Sequence, residues 1–173
     1  MKKAIFEMYG KISIGKNGIC NKCNENEEKD RPLSFYFVGD KFKQGEDTIL
    51  FAGKTAVGGN EFAPEYQISS KDDPFSDATK FGEASLDLSE DNAKRRPFYN
   101  YTHATIEKYY GTYKDGKKYV ALTNIVKCNN TTTNDTTAYH VKDYCINQLG
   151  VIWKEVELLS PKRVVFYTNK FHC

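Results

Sequence analysis

No stretch of this chain approaches the ~18 consecutive apolar residues needed to cross a bilayer as a helix, so no membrane association is expected. Met1, Lys2 and Lys3 are not followed by an apolar segment, so no secretory leader is expected either, and a cytoplasmic location follows. That removes the meaning from the Asn-x-Thr triplets at Asn100, Asn129, Asn130 and Asn134. It also decides how the five cysteines are read: in a chain that is not secreted they argue against a disulfide framework and for a metal or redox site. Charge of one sign is lacking too. The net charge is +2, which excludes a polycation. A mild bias remains, since residues 117–173 hold eight Lys or Arg against four Asp or Glu, which is compatible with a phosphate-bearing partner. There is no internal repeat and no Walker loop, because Lys54 and Thr55 follow Gly53 without the upstream glycine of that motif.

Aromatic side chains, by contrast, are plentiful: twelve Tyr and eleven Phe in 173 residues. They serve a core, and they serve equally where rings or bases are stacked. The length suits one domain over residues 1–173, expected as a monomer. The periodicity predicts a short helix at Ala4–Tyr9 and strands at Leu33–Val38 and Thr48–Ala52. Residues 60–94 are polar and aperiodic and read as a long surface excursion. Pro97 suits a helix start, Phe98, Tyr101, Thr105 and Tyr109 fall on one helical face, and Gly111 ends the pattern. Tyr119–Val126 is a strand, and residues 129–137 form a polar loop. One long helix then carries Cys145, Leu149, Ile152, Val156 and Leu159 on a single face, flanked by Trp153, until Pro161 stops it. Val164–Tyr167 is the last strand.

This alternation predicts an α/β fold, a three-layer sandwich around a mainly parallel central sheet. In such sheets ligands bind at the carboxyl ends of the strands. That edge carries Gly53 and Lys54, the segment from Asn124 to Lys127, and Thr168 and Asn169. The pair Cys20 and Cys23 is a C-x-x-C knuckle, whose thiolates fit a shared metal centre, zinc or iron–sulfur, or a redox role.

Three blocks resemble the uracil-DNA glycosylase superfamily, most closely its iron–sulfur branch. Ile49–Gly53 looks like the strand and glycine that open the family's first catalytic motif. Arg95-Arg-Pro-Phe98 is similar to the family's Gly-Arg-Pro-Phe segment, whose Phe stacks on the flipped uracil. Thr123-Asn-Ile-Val-Lys-Cys128, then Cys145, and then Glu157-Leu-Leu-Ser-Pro-Lys162 match the family's strand, loop, cysteine and helix in the same order. Together the blocks cover most of residues 20–169.

The resemblance implies a DNA glycosylase that hydrolyses the N-glycosidic bond of uracil or another damaged base in DNA repair. Gly53, Phe98 and Asn124 would bind the flipped base, with the Asn124 amide reading its Watson–Crick edge. Phe98 as a core aromatic and Asn124 as a backbone cap are the plainer alternatives. Cys20, Cys23, Cys128 and Cys145 would hold a [4Fe–4S] cluster, with Zn²⁺ as the alternative, leaving Cys173 over.

Two departures stand out. The family's first motif reads Gly-Glu-Ala-Pro-Gly, whereas Lys54 follows Gly53 here. Lys54 would neutralise a phosphate or the departing anion, or attack the sugar as an amine, and Glu61 lies near enough in sequence to position a water. The family's second motif carries a His beyond one more strand, and His172 falls too early to be that residue. The expectation is either a fragment or a domain that has lost the final strand and second motif. Both departures favour the alternative of an inactive relative that binds DNA or a nucleotide through the same pocket.

Overall fold

Two short apolar runs, Ile49–Gly53 and Val120–Asn124, are buried at every position and form the centre of the molecule. The computed structural model describes residues 1–11, 29–32, 37–43, 45–54, 97–130 and 137–168, with the backbone alone at 2, 6, 9, 10, 29–32 and 128–130. The elements are α1 (Lys2–Lys11), β1 (Lys29–Pro32), β2 (Phe37–Val38), β3 (Ile49–Gly53), α2 (Pro97–Tyr110), α3 (Tyr113–Gly116), β4 (Val120–Asn124), β5 (Cys128–Asn130), α4 (Tyr139–Asp143), α5 (Val151–Leu159) and β6 (Arg163–Phe166). A four-stranded sheet runs in the order β2-β4-β3-β6. β3 is parallel to both β4 and β6, and β2 is antiparallel to β4. The chain is therefore a mixed α/β fold, with two of the three pairings in this sheet parallel.

Strand residues alternate between faces, and the core follows that period. Leu50 and Ala121 pack with Ile5 of α1 and with Val151 and Leu159 of α5. Ile49, Phe51, Val120 and Leu122 pack with Ile106 of α2. Fully burying a side chain of this size is worth about 1.5–3 kcal/mol. The helices lie where their apolar positions meet one face or the other.

Several expectations hold at the level of elements. The amino-terminal helix forms and is longer than expected, Pro97 is the first residue of α2, and the last strand ends one residue short of Tyr167. Gly111 takes φ +83°, a left-handed conformation that costs a residue without Cβ little, and its N–H donates to the Glu107 carbonyl at 2.8 Å. Of the expected strand at Leu33–Val38, Phe37 and Val38 are in β2, and residues 33–36 lie outside the described residues. The excursion at 60–94 lies wholly outside them.

Three expectations need correction. The single long helix after residue 141 is broken: α4 runs into a π-helical turn at Tyr144–Gln148, and Gly150 at φ +61° separates it from α5. The buried face of α2 is carried by Thr102 and Ile106, while Tyr101 and Tyr109 are exposed. The polar segment after Cys128 starts as a strand, because β5 pairs antiparallel with β1, with Pro32 opposite Cys128 and Lys29 opposite Asn130.

At the amino ends of β3 and β6 a polar cluster closes the sheet. The Arg163 guanidinium pairs with the Asp47 carboxylate and lies 4.9 Å from the Tyr109 ring centre. The Tyr110 hydroxyl donates to the Asp47 carbonyl at 2.6 Å. Burial, then the nearby Asp47 charge, pushes the Tyr110 phenol up to about 12. A phenol held protonated in the folded state stabilises it fully below pH 10.0, and that contribution disappears as pH rises through about 12. Because the ring is partly exposed, solvent screening limits the effect to at most about 1 kcal/mol. Urea-unfolding midpoints followed across that window should fall more steeply for the wild type than for Tyr110→Phe; parallel curves would contradict the assignment.

Candidate functional site

The carboxyl ends of β3 and β4 lie side by side, with Gly53 opposite Asn124 in the parallel register. The ladder continues past the strands, since Ile125 N–H donates to the Gly53 carbonyl at 2.8 Å and Val126 N–H to the Lys54 carbonyl at 2.9 Å. The backbone on both sides of this edge is thus fixed by hydrogen bonds. α2 begins above it, and the Thr102 hydroxyl donates to the Phe98 carbonyl at 2.8 Å within the first turns of that helix.

These elements converge on the missing side chain of Gly53. A Cβ there would lie 2.5 Å from Asn124 Oδ1 and 3.2 Å from Cε2 of the Phe98 ring. The first distance is too short for a carbon atom and the second is tight, so a Cβ here would displace the amide and crowd the ring. Gly53, Phe98 and Asn124, widely separated in sequence, are therefore neighbours at the carboxyl edge of the sheet. Asn124 is 8% exposed and the Phe98 ring is half-buried. Phe98 meets Tyr99 and Tyr167 edge to face, at 5.2 and 5.3 Å between ring centres. Tyr167 stacks in turn on Phe51 and Tyr101. An amide donates and accepts hydrogen bonds and an aromatic ring offers a flat apolar face, the two groups a planar, hydrogen-bonding ligand needs. Lys54, next in the chain, is half-buried at the same edge, and Glu61 lies outside the described residues.

Behind Asn124 sits a buried polar network that sequence reasoning missed. The Lys127 ammonium reaches the Glu155 carboxylate of α5 at 2.6 and 2.7 Å and donates to the Thr123 hydroxyl at 2.5 Å. Thr123 donates to Glu155 at 2.8 Å, and all three residues are buried. Burial pulls the Lys127 ammonium below its ordinary value, against the Glu155 carboxylate and then Cys145, both of which hold it up. A signal was available: Glu155 falls among Ile152, Val156 and Leu159 on the apolar stripe of α5.

The cysteines are placed unevenly. Cys145 is buried against Val126 and Val141. Cys128 opens β5, and β1 beside it is the segment that follows the C-x-x-C. Cys20 and Cys23 lie outside the described residues, and among the described residues no three His, Cys, Asp or Glu side chains gather as a metal site. The β1–β5 pairing brings the segment that follows the C-x-x-C alongside Cys128.

Comparison with known protein families, with curated proteins and with solved structures gives no match.

The Gly53 gap makes a direct prediction. Gly53→Ala forces either the Asn124 amide or the Phe98 ring to move, and crowding of this kind costs about 1–3 kcal/mol. Chemical denaturation should show that loss, and an unchanged midpoint would contradict the close approach.

Proposed function

We propose that this chain is a uracil-DNA glycosylase-like protein that binds a base flipped out of DNA and hydrolyses its N-glycosidic bond. The observation that carries the reading is the convergence of Gly53, Phe98 and Asn124 at one point of the sheet edge. A base extruded from the stack needs a ring to lie against and an amide to read its Watson–Crick edge. Phe98 is the ring. Asn124 both donates and accepts, which matches the N3–H and O4 of uracil. Gly53 carries no Cβ, which lets the amide and the ring come together at this point of the edge. The finer architecture in this reading is a three-layer sandwich, and the protein acts as a cytoplasmic monomer.

Hydrolysis proceeds through an oxocarbenium-like sugar and an anionic leaving base. Lys54 is the cation at this edge, in place to neutralise the departing anion or a phosphate, or to attack C1′ as an amine. Glu61 is the carboxylate assigned to a water. In the same reading Cys20, Cys23, Cys128 and Cys145 hold a [4Fe–4S] cluster, or Zn²⁺ in its place. Held by these four cysteines, such a group would tie the amino-terminal segment to the strand–helix unit that bears Asn124.

One residue favours a second reading. Lys54 stands where the family has an acid, and without that acid the pocket would bind a base and leave the bond intact.

The test pairs an excision assay with metal analysis. Protein purified anaerobically should carry about four irons per chain and release uracil from single- or double-stranded oligonucleotides. Asn124→Ala and Phe98→Ala should each slow release by on the order of 10²-fold. Tight binding of the uracil oligonucleotide without release would establish the second reading, and neither binding nor release would overturn both.

A further inference from the structure

Tyr167 follows β6 directly, and its N–H donates to the Ala52 carbonyl at 2.9 Å, extending the β3–β6 ladder to the residue beside Gly53. The edge therefore holds Asn124 on one side of the Gly53 gap and Tyr167 on the other. The face is the same for both, since the Gly53 Cβ position points at Asn124 and Phe98, and Phe98 meets Tyr167. Three rings fix the phenol: Phe51 lies parallel to it at 5.9 Å and 4°, Phe98 stands across it at 86°, and Tyr101 stacks at 6.2 Å. Phenylalanine would satisfy every one of those contacts.

The hydroxyl is what the packing does not explain. Its oxygen is buried, and among the described residues it has no hydrogen-bond partner. A buried donor without an acceptor opposes folding, and native proteins rarely keep one that has no use. The Tyr167 ring centre lies 5.3 Å from that of Phe98, at the carboxyl edge of the sheet.

Building on the reading of this pocket as a base site, we infer that Tyr167 is a further ligand-binding residue. Its hydroxyl donates to an acceptor oxygen of the extruded nucleotide on the edge away from Asn124, where the base joins its sugar. The base is then read from both sides, by the Asn124 amide at the Watson–Crick edge and by the Tyr167 phenol near the glycosidic bond. A donor so placed stabilises negative charge that builds on the base as the bond breaks.

Tyr167→Phe separates this role from a structural one, because the two predict opposite signs. The probe is a single-stranded oligonucleotide with one 2′-fluoro-deoxyuridine, whose glycosidic bond resists hydrolysis. Removing an unpartnered buried hydroxyl should leave the thermal midpoint of the free protein unchanged or raise it by a few degrees, while affinity for the probe falls about tenfold. Equal affinity of variant and wild type would overturn the inference and leave the base pocket standing. A lowered midpoint would overturn it as well, since the hydroxyl would then have a partner within the protein. A wild type that does not bind the probe at all would overturn the pocket reading and this inference with it.

Discussion

The interaction on which the rest of the site depends is the buried contact of Lys127 with Glu155 and Thr123. Taking an ammonium and a carboxylate out of water carries a desolvation cost of several kcal/mol each, and only close pairing with hydrogen bonds to the remaining atoms offsets it. Here both Glu155 oxygens reach Lys127, and Thr123 contacts both partners. Removing one member leaves a buried charge alone, which typically costs about 3–5 kcal/mol. The geometry is therefore held tightly. It joins the end of β4 to α5 and fixes the segment between them, with Asn124 beside Thr123 and Cys128 beside Lys127. The same contact thus steadies the amide at the sheet edge and the start of the strand that carries a candidate metal ligand.

What the sheet edge then offers follows from the absence of one side chain. β3 and β4 run parallel with Gly53 and Asn124 in register, and α2 brings Phe98 over them. Any residue larger than glycine would fill the space where ring, amide and backbone meet. Aromatic rings extend from Phe98 through Tyr167 to the exposed Tyr101. With no matching family, curated protein or solved structure, the glycosylase reading stands on the local motifs and on this convergence.

Much of the framework was legible because single residues control it. Pro97 and Gly111 bound α2, Pro161 stops α5, and the apolar runs at Ile49 and Val120 are strands because they are buried on both faces. Other features depend on contacts that no short window contains. Lys29–Pro32 has no strand signal of its own and is extended because it pairs with β5. Gly150 breaks the helix although the apolar stripe runs through it almost without a change of phase. Tyr101 and Tyr109 share a helical face in the sequence but are exposed, and the buried positions of that helix are Thr102 and Ile106, since a tyrosine ring is as much at home at a surface. Gly53, Phe98 and Asn124 were read from motifs, whereas Tyr167 and the Lys127–Glu155 pair become meaningful only when neighbouring strands and helices are in place.

The most direct measurement of the central claim is a titration of free uracil into protein labelled with ¹⁵N at side-chain amides. A base-reading edge should make the Asn124 side-chain resonances move in a saturable way, with the shift lost in Phe98→Ala and not reproduced by adenine. Uracil binding that leaves the Asn124 amide unmoved, or no saturable binding at all, would contradict a base-reading pocket at this edge of the sheet.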